Sequence, residues 1–304
     1  MAVPFLFARA AALGLLAAPA AGQAGPATEI PFTTPSPASQ HILIEGRLGG
    51  SGPFILLLDT GYVAPFTVAL SAGAAARAGA SPARGPLFLS RATIGRPVSF
   101  APWSVASLAL GPVRLGQVSA GVTTAIDRVS TALGTGLDGI VGHEFLRGRV
   151  IAIDYVCRTV DLQAAVPDTP PTAGFTIAPV RPLLLVDARI NGRGPYRLIF
   201  DTGAGTTLLS PAAASAAAVD ARRPVSLAGA GGVEGGRTGR AEVALGSAAP
   251  RRIGLVVAPL VDRVAREAGA PIDGVAGTQF FGQGRLVLDY PGHRLWLLPP
   301  RPCR

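Results

Sequence analysis

Val186-Asp187-Ala188-Arg189-Ile190 alternates apolar and polar positions, the period of a strand with one face buried. Tyr196–Asp201 (YRLIFD), Gly284–Tyr290 (GRLVLDY) and Arg294–Leu298 (RLWLL) are further short β-type runs, separated by Asn-Gly, Gly-Pro and Pro-Gly turns. Arg189–Leu198 (RINGRGPYRL) reads as a hairpin, strand to glycine-rich turn to strand. Helical stretches are brief. Ser210 is placed to cap a helix with Pro211 at its first position, opening the alanine-rich PAAASAAAV, and Ser71 stands in the same relation to AGAAARAG. Ala258–Gly269 (APLVDRVAREAG) predicts a later helix closed by Gly269. Two brief helices in each half, set among many strands, predict an all-β fold with short helices.

The pattern is stated twice. Glu45–Gly61 (EGRLGGSGPFILLLDTG) aligns with Asp187–Gly203 (DARINGRGPYRLIFDTG), matching Arg47 to Arg189, Gly52-Pro53 to Gly194-Pro195 and Phe54 to Tyr196 at a constant offset of 142. Further on, Ala125–Phe145 (AIDRVSTALGTGLDGIVGHEF) aligns with Leu260–Phe280 (LVDRVAREAGAPIDGVAGTQF) at an offset of 135, which Asp154-Tyr155 and Asp289-Tyr290 also keep. Agreement in order, spacing and residue type predicts two homologous lobes. The expected organisation is a signal peptide over 1–21, a Pro/Thr/Ser-rich lead-in over 22–40, an N-terminal lobe over 41–166 and a C-terminal lobe over 172–299. PDTPP (167–171) is the expected linker.

Each repeat ends an apolar run with an aspartate: FILLLDTG in the first, RLIFDTG in the second. An ionised carboxylate there is costly unless something pairs with it. Two such carboxyls brought together cannot both ionise; they share a proton, and one can then activate water while the other polarises a carbonyl. The threonine offers a hydroxyl to fix the loop, and the glycine lets backbone approach the carboxyl with no side chain between.

These residues resemble the aspartic proteases, in particular the bacterial retropepsin-like proteins, with two lobes in one chain as in pepsin-type enzymes. The matching pieces are the two apolar-apolar-Asp-Thr-Gly runs, each followed by Asp-Gly and an apolar-apolar-Gly triplet, Ile140-Val141-Gly142 and Val275-Ala276-Gly277. The resemblance implies two β-barrel-like lobes around a cleft, in which the later strand of each lobe crosses its aspartate loop. It implies an aspartic endopeptidase in which Asp59 and Asp201 are the catalytic pair, supported by Thr60, Gly61, Thr202 and Gly203, with no cofactor and no metal. It also implies hairpins covering the cleft, at Ala228–Leu245 and Phe88–Trp103. The implied substrate is a peptide or protein in extended conformation. One departure stands out: Tyr62-Val63-Ala64-Pro65 follows the first triplet, where the second has Ala204-Gly205-Thr206. That departure makes a weak or inactive peptide-binding pseudoprotease the alternative.

Other motifs have plainer readings. Asp138 and Asp273, each before glycine, are turn formers at the start of a strand. His143-Glu144 has no surrounding ligand cluster, and three histidines in the whole chain argue against zinc. Ser210 lacks a nucleophile elbow, and Trp103 and Trp296 read as core or rim aromatics. DTGAGTT also resembles the phosphate loops of the duplicated actin/hexokinase-type ATPases, a reading opposed by the lack of long helices between strands.

Composition changes this picture little. The net charge of +9 comes from arginine alone, spread without a basic block, so it predicts no nucleic-acid surface. Met1 to about Ala21, with Arg9 before an apolar stretch and small residues at Ala18–Ala20, has the form of a secretory signal. Export to the periplasm or the exterior is therefore expected, for a monomer without a membrane span. In that setting Cys157 and Cys303 form either a disulfide or two unpaired thiols.

Overall fold

The hairpin predicted around Asn191-Gly192 forms as Leu184–Ile190 and Arg193–Phe200, antiparallel, with Asn191 at φ 50° and Gly192 at φ 73° in the turn. Its counterpart is Leu43–Leu48 with Ser51–Leu58, turning at Gly49 and Gly50, again at positive φ. A side chain at Gly49 would also meet the Ala78 carbonyl oxygen at 2.1 Å, so glycine is required there on two grounds. These hairpins belong to a computed structural model that describes residues 29–303 apart from Ala38 and Ala92. The expected signal peptide and the start of the lead-in lie outside the described residues.

The fold is mostly β. Both halves of the chain use the same strand arrangement. Gly139–Val141 runs parallel to Ser51–Leu58 and antiparallel to Val68–Leu70, so it is wedged between the strands before and after Asp59. Gly274–Ala276 is wedged in the same way between Arg193–Phe200 and Thr207–Leu209 around Asp201. Both wedges are too close-packed for a side chain at their first residue: a Cβ on Gly139 would lie 2.2 Å from Ala69 O, and one on Gly274 2.3 Å from Leu208 O. The aspartates at 138 and 273 brace this crossing. Asp138 accepts from Ile55 N at 2.9 Å and pairs with Arg77, while Asp273 accepts from Arg197 N at 2.8 Å.

Among the described residues the strands form two sheets, one of 16 strands and one of 8. The larger is not confined to one half of the chain. Arg285–Asp289 and Arg294–Leu298 join it by pairing Arg285–Asp289 against Val150–Asp154. Beneath both aspartate loops runs one continuous apolar cluster, including Leu56, Leu58, Leu198, Phe200, Phe280 and Phe281. Phe200 stacks on Phe281 with ring centroids 4.2 Å apart.

The helices follow their caps. Ser71 accepts from Ala74 N ahead of Ala72–Arg77, Ser210 accepts from Ala213 N ahead of Pro211–Ala216, and Gly269 ends Leu260–Ala268 in the left-handed conformation. Ala125–Leu133 ends likewise at Gly134. The expectation of two helices per half was short by one. His143–Leu146 and Thr278–Phe281 each add a single turn directly after the wedged strand, too short to show a helical period. Trp296 is buried, and its Nε1 donates to Thr169 O in the PDTPP segment.

The two cysteines are bonded. Cys157–Cys303 closes a span of 146 residues and ties the chain end beside Asp154. Arg301, two residues earlier, pairs with Asp154 at 3.1 Å and with Glu29. A cross-link over so long a loop restricts the unfolded chain strongly. Cys157→Ser/Cys303→Ser should lower unfolding free energy by about 2–4 kcal/mol in chemical denaturation, and reduction of the wild type should reproduce that loss.

Candidate active site

The chain places Asp59 and Asp201 at the ends of two strands, and a reciprocal set of hydrogen bonds clamps the loops that follow. Thr60 N donates to Thr202 Oγ1 and Thr202 N donates to Thr60 Oγ1, both at 3.0 Å. Each hydroxyl then donates across to the other side, Thr60 Oγ1 to Phe200 O at 2.8 Å and Thr202 Oγ1 to Leu58 O at 2.9 Å. Both threonines are fully buried, so every polar atom of the clamp depends on its partner. All six residues that the sequence pointed to are brought together here.

The glycines complete the crossing. A Cβ on Gly61 would lie 2.5 Å from the Asp201 carboxyl, and one on Gly203 would lie 2.3 Å from that of Asp59. Each loop therefore packs bare backbone against the opposite carboxyl. Gly61 N and Tyr62 N donate to Asp59 Oδ1 at 2.8 and 3.0 Å, and Gly203 N donates to Asp201 Oδ1 at 2.8 Å. The two carboxyls are close enough for each to influence the other's ionisation. Burial, then the charge and hydrogen bond of Asp201, hold Asp59 well above the usual carboxylate range. Burial also raises Asp201, against the lowering effect of the Gly203 N–H, Asp59 and the nearby His41. Such a pair keeps one proton between two carboxyls.

Residues 186–280 match the aspartyl protease family model. The match supports an aspartyl protease family and, with it, hydrolytic activity on peptides. It spans about a third of the chain and contains Asp201, Thr202, Gly203 and Asp273, but not Asp59. No curated protein matches the chain.

The aspartates face a cavity of about 270 Å³, walled mainly by apolar side chains that include Leu57, Phe100, Ile126, Ile199 and Leu260. Its roof is made by two hairpins. Ala221–Gly229 and Gly232–Leu245 form a long one, which turns at Ala230-Gly231. Phe88–Ser90 and Val98–Val105 form the other. The expected flap segments are these hairpins, and their tips touch: Arg96 N donates to Gly231 O at 2.9 Å, and Gly231 N to Ile94 O at 3.0 Å. Arginines at matched repeat positions hold the tips. Arg128 donates to Ala230 O at 2.6 Å, and Arg263 donates to Thr93 O at 2.8 Å while pairing with Glu234 at 2.7 Å. Arg181, paired with Glu267, also donates to Leu89 O.

Tyr62 turns its ring into the aromatic group of Phe66, Phe88 and Phe100, 6.1 Å from Phe100, and still forms part of the cavity wall. Its hydroxyl is buried without a hydrogen-bond partner among the described residues, and burial pushes the phenol up. A further residue escaped the sequence reading. His41 lies on the cavity wall with its Nε2 3.1 Å from Gly203 O. The available signal was a broken repeat: the offset of 142 puts Leu183 opposite it. Among the described residues no group of three or more acidic, histidine or cysteine side chains is placed to hold a metal.

The clamp and the raised carboxyls make separable predictions. Thr202→Ala removes two buried hydrogen bonds and strands Thr60 N, so it should cost about 2–4 kcal/mol of stability in denaturant titration. Asp59→Asn should do the opposite. A carboxyl raised by folding binds a proton that the unfolded chain has released, so its contribution is fully favourable below about pH 4 and is lost as pH climbs toward the raised value. Removing it should raise the melting temperature at pH 7 by roughly 2–4 °C, with the gain shrinking toward pH 3.

Proposed function

We propose that the protein is an aspartic endopeptidase, built as two homologous lobes of one chain, in which Asp59 and Asp201 activate a single water. The observation that carries the reading is the reciprocal packing of the two Asp-Thr-Gly loops, each glycine against the other loop's carboxyl. The family match over residues 186–280 supports it from the second half, and the repeat extends it to the first.

The chemistry follows from one proton shared by two carboxyls. The ionised carboxylate takes a proton from water as the water oxygen bonds to the carbon of the peptide carbonyl. The protonated carboxyl gives its proton to the carbonyl oxygen, forming a tetrahedral diol. Collapse of the diol breaks the C–N bond, the amine nitrogen takes up a proton, and the pair returns to its singly protonated form. The clamp keeps the carboxyls in reach of one water throughout, which is positioning that costs nothing at the moment of reaction. The apolar cavity suits an extended peptide whose side chains flank the scissile bond, and the hairpin tips must part for such a chain to enter.

The expected form is an exported monomer freed of about its first 21 residues; the Cys157–Cys303 bond supports an oxidising compartment. A peptide-binding protein without turnover is the second reading, favoured by Tyr62 in the cavity wall where the other loop has Ala204.

The test is cleavage of an unfolded protein between pH 3 and 7 by wild type, Asp59→Asn and Asp201→Asn. Asparagine keeps the shape of aspartate but cannot accept the proton, and the pair works as a unit. Each variant should therefore lose essentially all hydrolysis while remaining folded. Equal cleavage by all three would remove the two aspartates from the mechanism; binding of the unfolded chain without cleavage by wild type would establish the second reading.

A further inference from the structure

The two aspartate loops are nearly equivalent by position, yet their surroundings differ at one charged site. His41 lies two residues before the strand that pairs with Ser51–Leu58, and the repeat offset of 142 places Leu183 at the corresponding point of the second half. Both side chains line the cavity. Leu183 brings no polar atom to the first loop, whereas His41 grips the second.

The grip fixes the ring and its tautomer. Nε2 lies 3.1 Å from Gly203 O, and a carbonyl only accepts, so Nε2 carries hydrogen. Nδ1 lies 2.8 Å from Ser39 Oγ, whose hydroxyl can donate to a neutral ring or accept from a charged one. The ring therefore takes up a proton at Nδ1 without moving and without losing either partner. Gly203 is the residue whose N–H donates to Asp201 and whose Cα faces Asp59. The Gly205 backbone is packed as tightly, with a notional Cβ 2.9 Å from His41 Cε1.

We propose that His41 is a positioning residue for the second aspartate loop: through Gly203 it fixes the Asp201 carboxyl, and as a cation it draws the pair's single negative charge onto Asp201, leaving the proton on Asp59. Asp201 is then the base toward water and Asp59 the donor to the carbonyl oxygen. This assignment rests on the two-aspartate reading above.

The electrostatic surroundings agree. The ionisable side chains that share the cavity with His41 are Asp59, Asp201, Tyr62 and Arg181, and Arg181 is committed to Glu267. On its outer side His41 faces Ser39, Gln40, Thr206, Thr278, Gln279 and Gln283, none of which titrates. Asp201 is thus the group whose charge favours the imidazolium, and burial is what opposes it, holding His41 below the ordinary histidine range. The extra Tyr62 N–H on Asp59 pulls the other way, but a full positive charge beside Asp201 outweighs a neutral donor. The cation therefore forms at acid pH, where it keeps the pair singly charged as protons become abundant.

The experiment compares wild type, His41→Leu and His41→Gln. Leucine is the side chain already tolerated at position 183, and glutamine retains a donor for Gly203 O without the charge. Profiles of kcat/KM against pH should show the acid limb moving up by about one pH unit in both variants, with KM changed less than about twofold because the apolar walls are untouched. Carboxyl carbon NMR titration of the same three proteins should show Asp201 taking up its proton about one pH unit higher in both variants. A wild-type profile in both variants overturns the proposal. Restoration by glutamine overturns its charge component and leaves a hydrogen bond alone. If wild type hydrolyses nothing, the endopeptidase reading has failed, and the NMR titration still decides whether His41 biases the pair: an unchanged Asp201 in His41→Leu overturns it.

Discussion

The crossed hydrogen bonds of Thr60 and Thr202 are the constraint on which the centre of the molecule depends. Four bonds of 2.8–3.0 Å join two segments 142 positions apart, and both threonine side chains are sealed from water. Each bond taken alone is worth about 1 kcal/mol net. Their strength lies in the alternative, since any parting of the loops would leave buried donors and acceptors unpaired. The clamp can form only because both strands before it end at one depth. The wedged strands Gly139–Val141 and Gly274–Ala276 set that depth, and Asp138 and Asp273 brace them through Ile55 N and Arg197 N.

What the clamp holds together is electrostatically unfavourable. Two carboxyls among apolar residues cost stability increasingly as they ionise, and most if both are charged. The backbone offsets part of this with N–H groups from Gly61, Tyr62 and Gly203. The remainder is carried by the apolar cluster beneath, where Leu58 and Phe200, the residues just before the aspartates, are completely buried. A fold of lower cohesion would relieve the strain by letting the loops separate. The long disulfide and the Arg301 contacts to Asp154 and Glu29 oppose any loosening of the chain end.

Much of this was legible in the sequence because it repeats. A single Asp-Thr-Gly is an ordinary turn; two at a fixed offset, each followed by Asp-Gly and a small-residue triplet, identify a shared environment. Strands, caps and the αL closure at Gly269 followed from local chemistry, since alternation, serine before proline and terminal glycine act over a few residues. The unread parts are those fixed at long range. Nothing local in Arg285–Asp289 says that it pairs with Val150–Asp154 rather than staying within its own half. The four-residue helices are shorter than the period that would reveal them. The contact between Gly95 and Gly231 depends on two hairpins meeting in space. The choice between bonded and free cysteines rested on a separation that sequence does not measure.

The places where the repeat fails are as informative as those where it holds. Positions under the clamp are nearly invariant between the halves, because reciprocal hydrogen bonds demand identical partners on each side. Around the cavity the halves diverge: Tyr62 against Ala204, His41 against Leu183. A strictly symmetric pair of carboxyls would hold its proton equally on either side. Peptide hydrolysis is not symmetric, since one carboxyl must remove a proton from water while the other supplies one to the carbonyl. Divergence at the cavity wall lets the charge distribution become unequal while the backbone that aligns the carboxyls stays the same. On the proposed reading the inequality comes from the His41 imidazole, which reaches Asp201 through Gly203, the second residue after it in the chain.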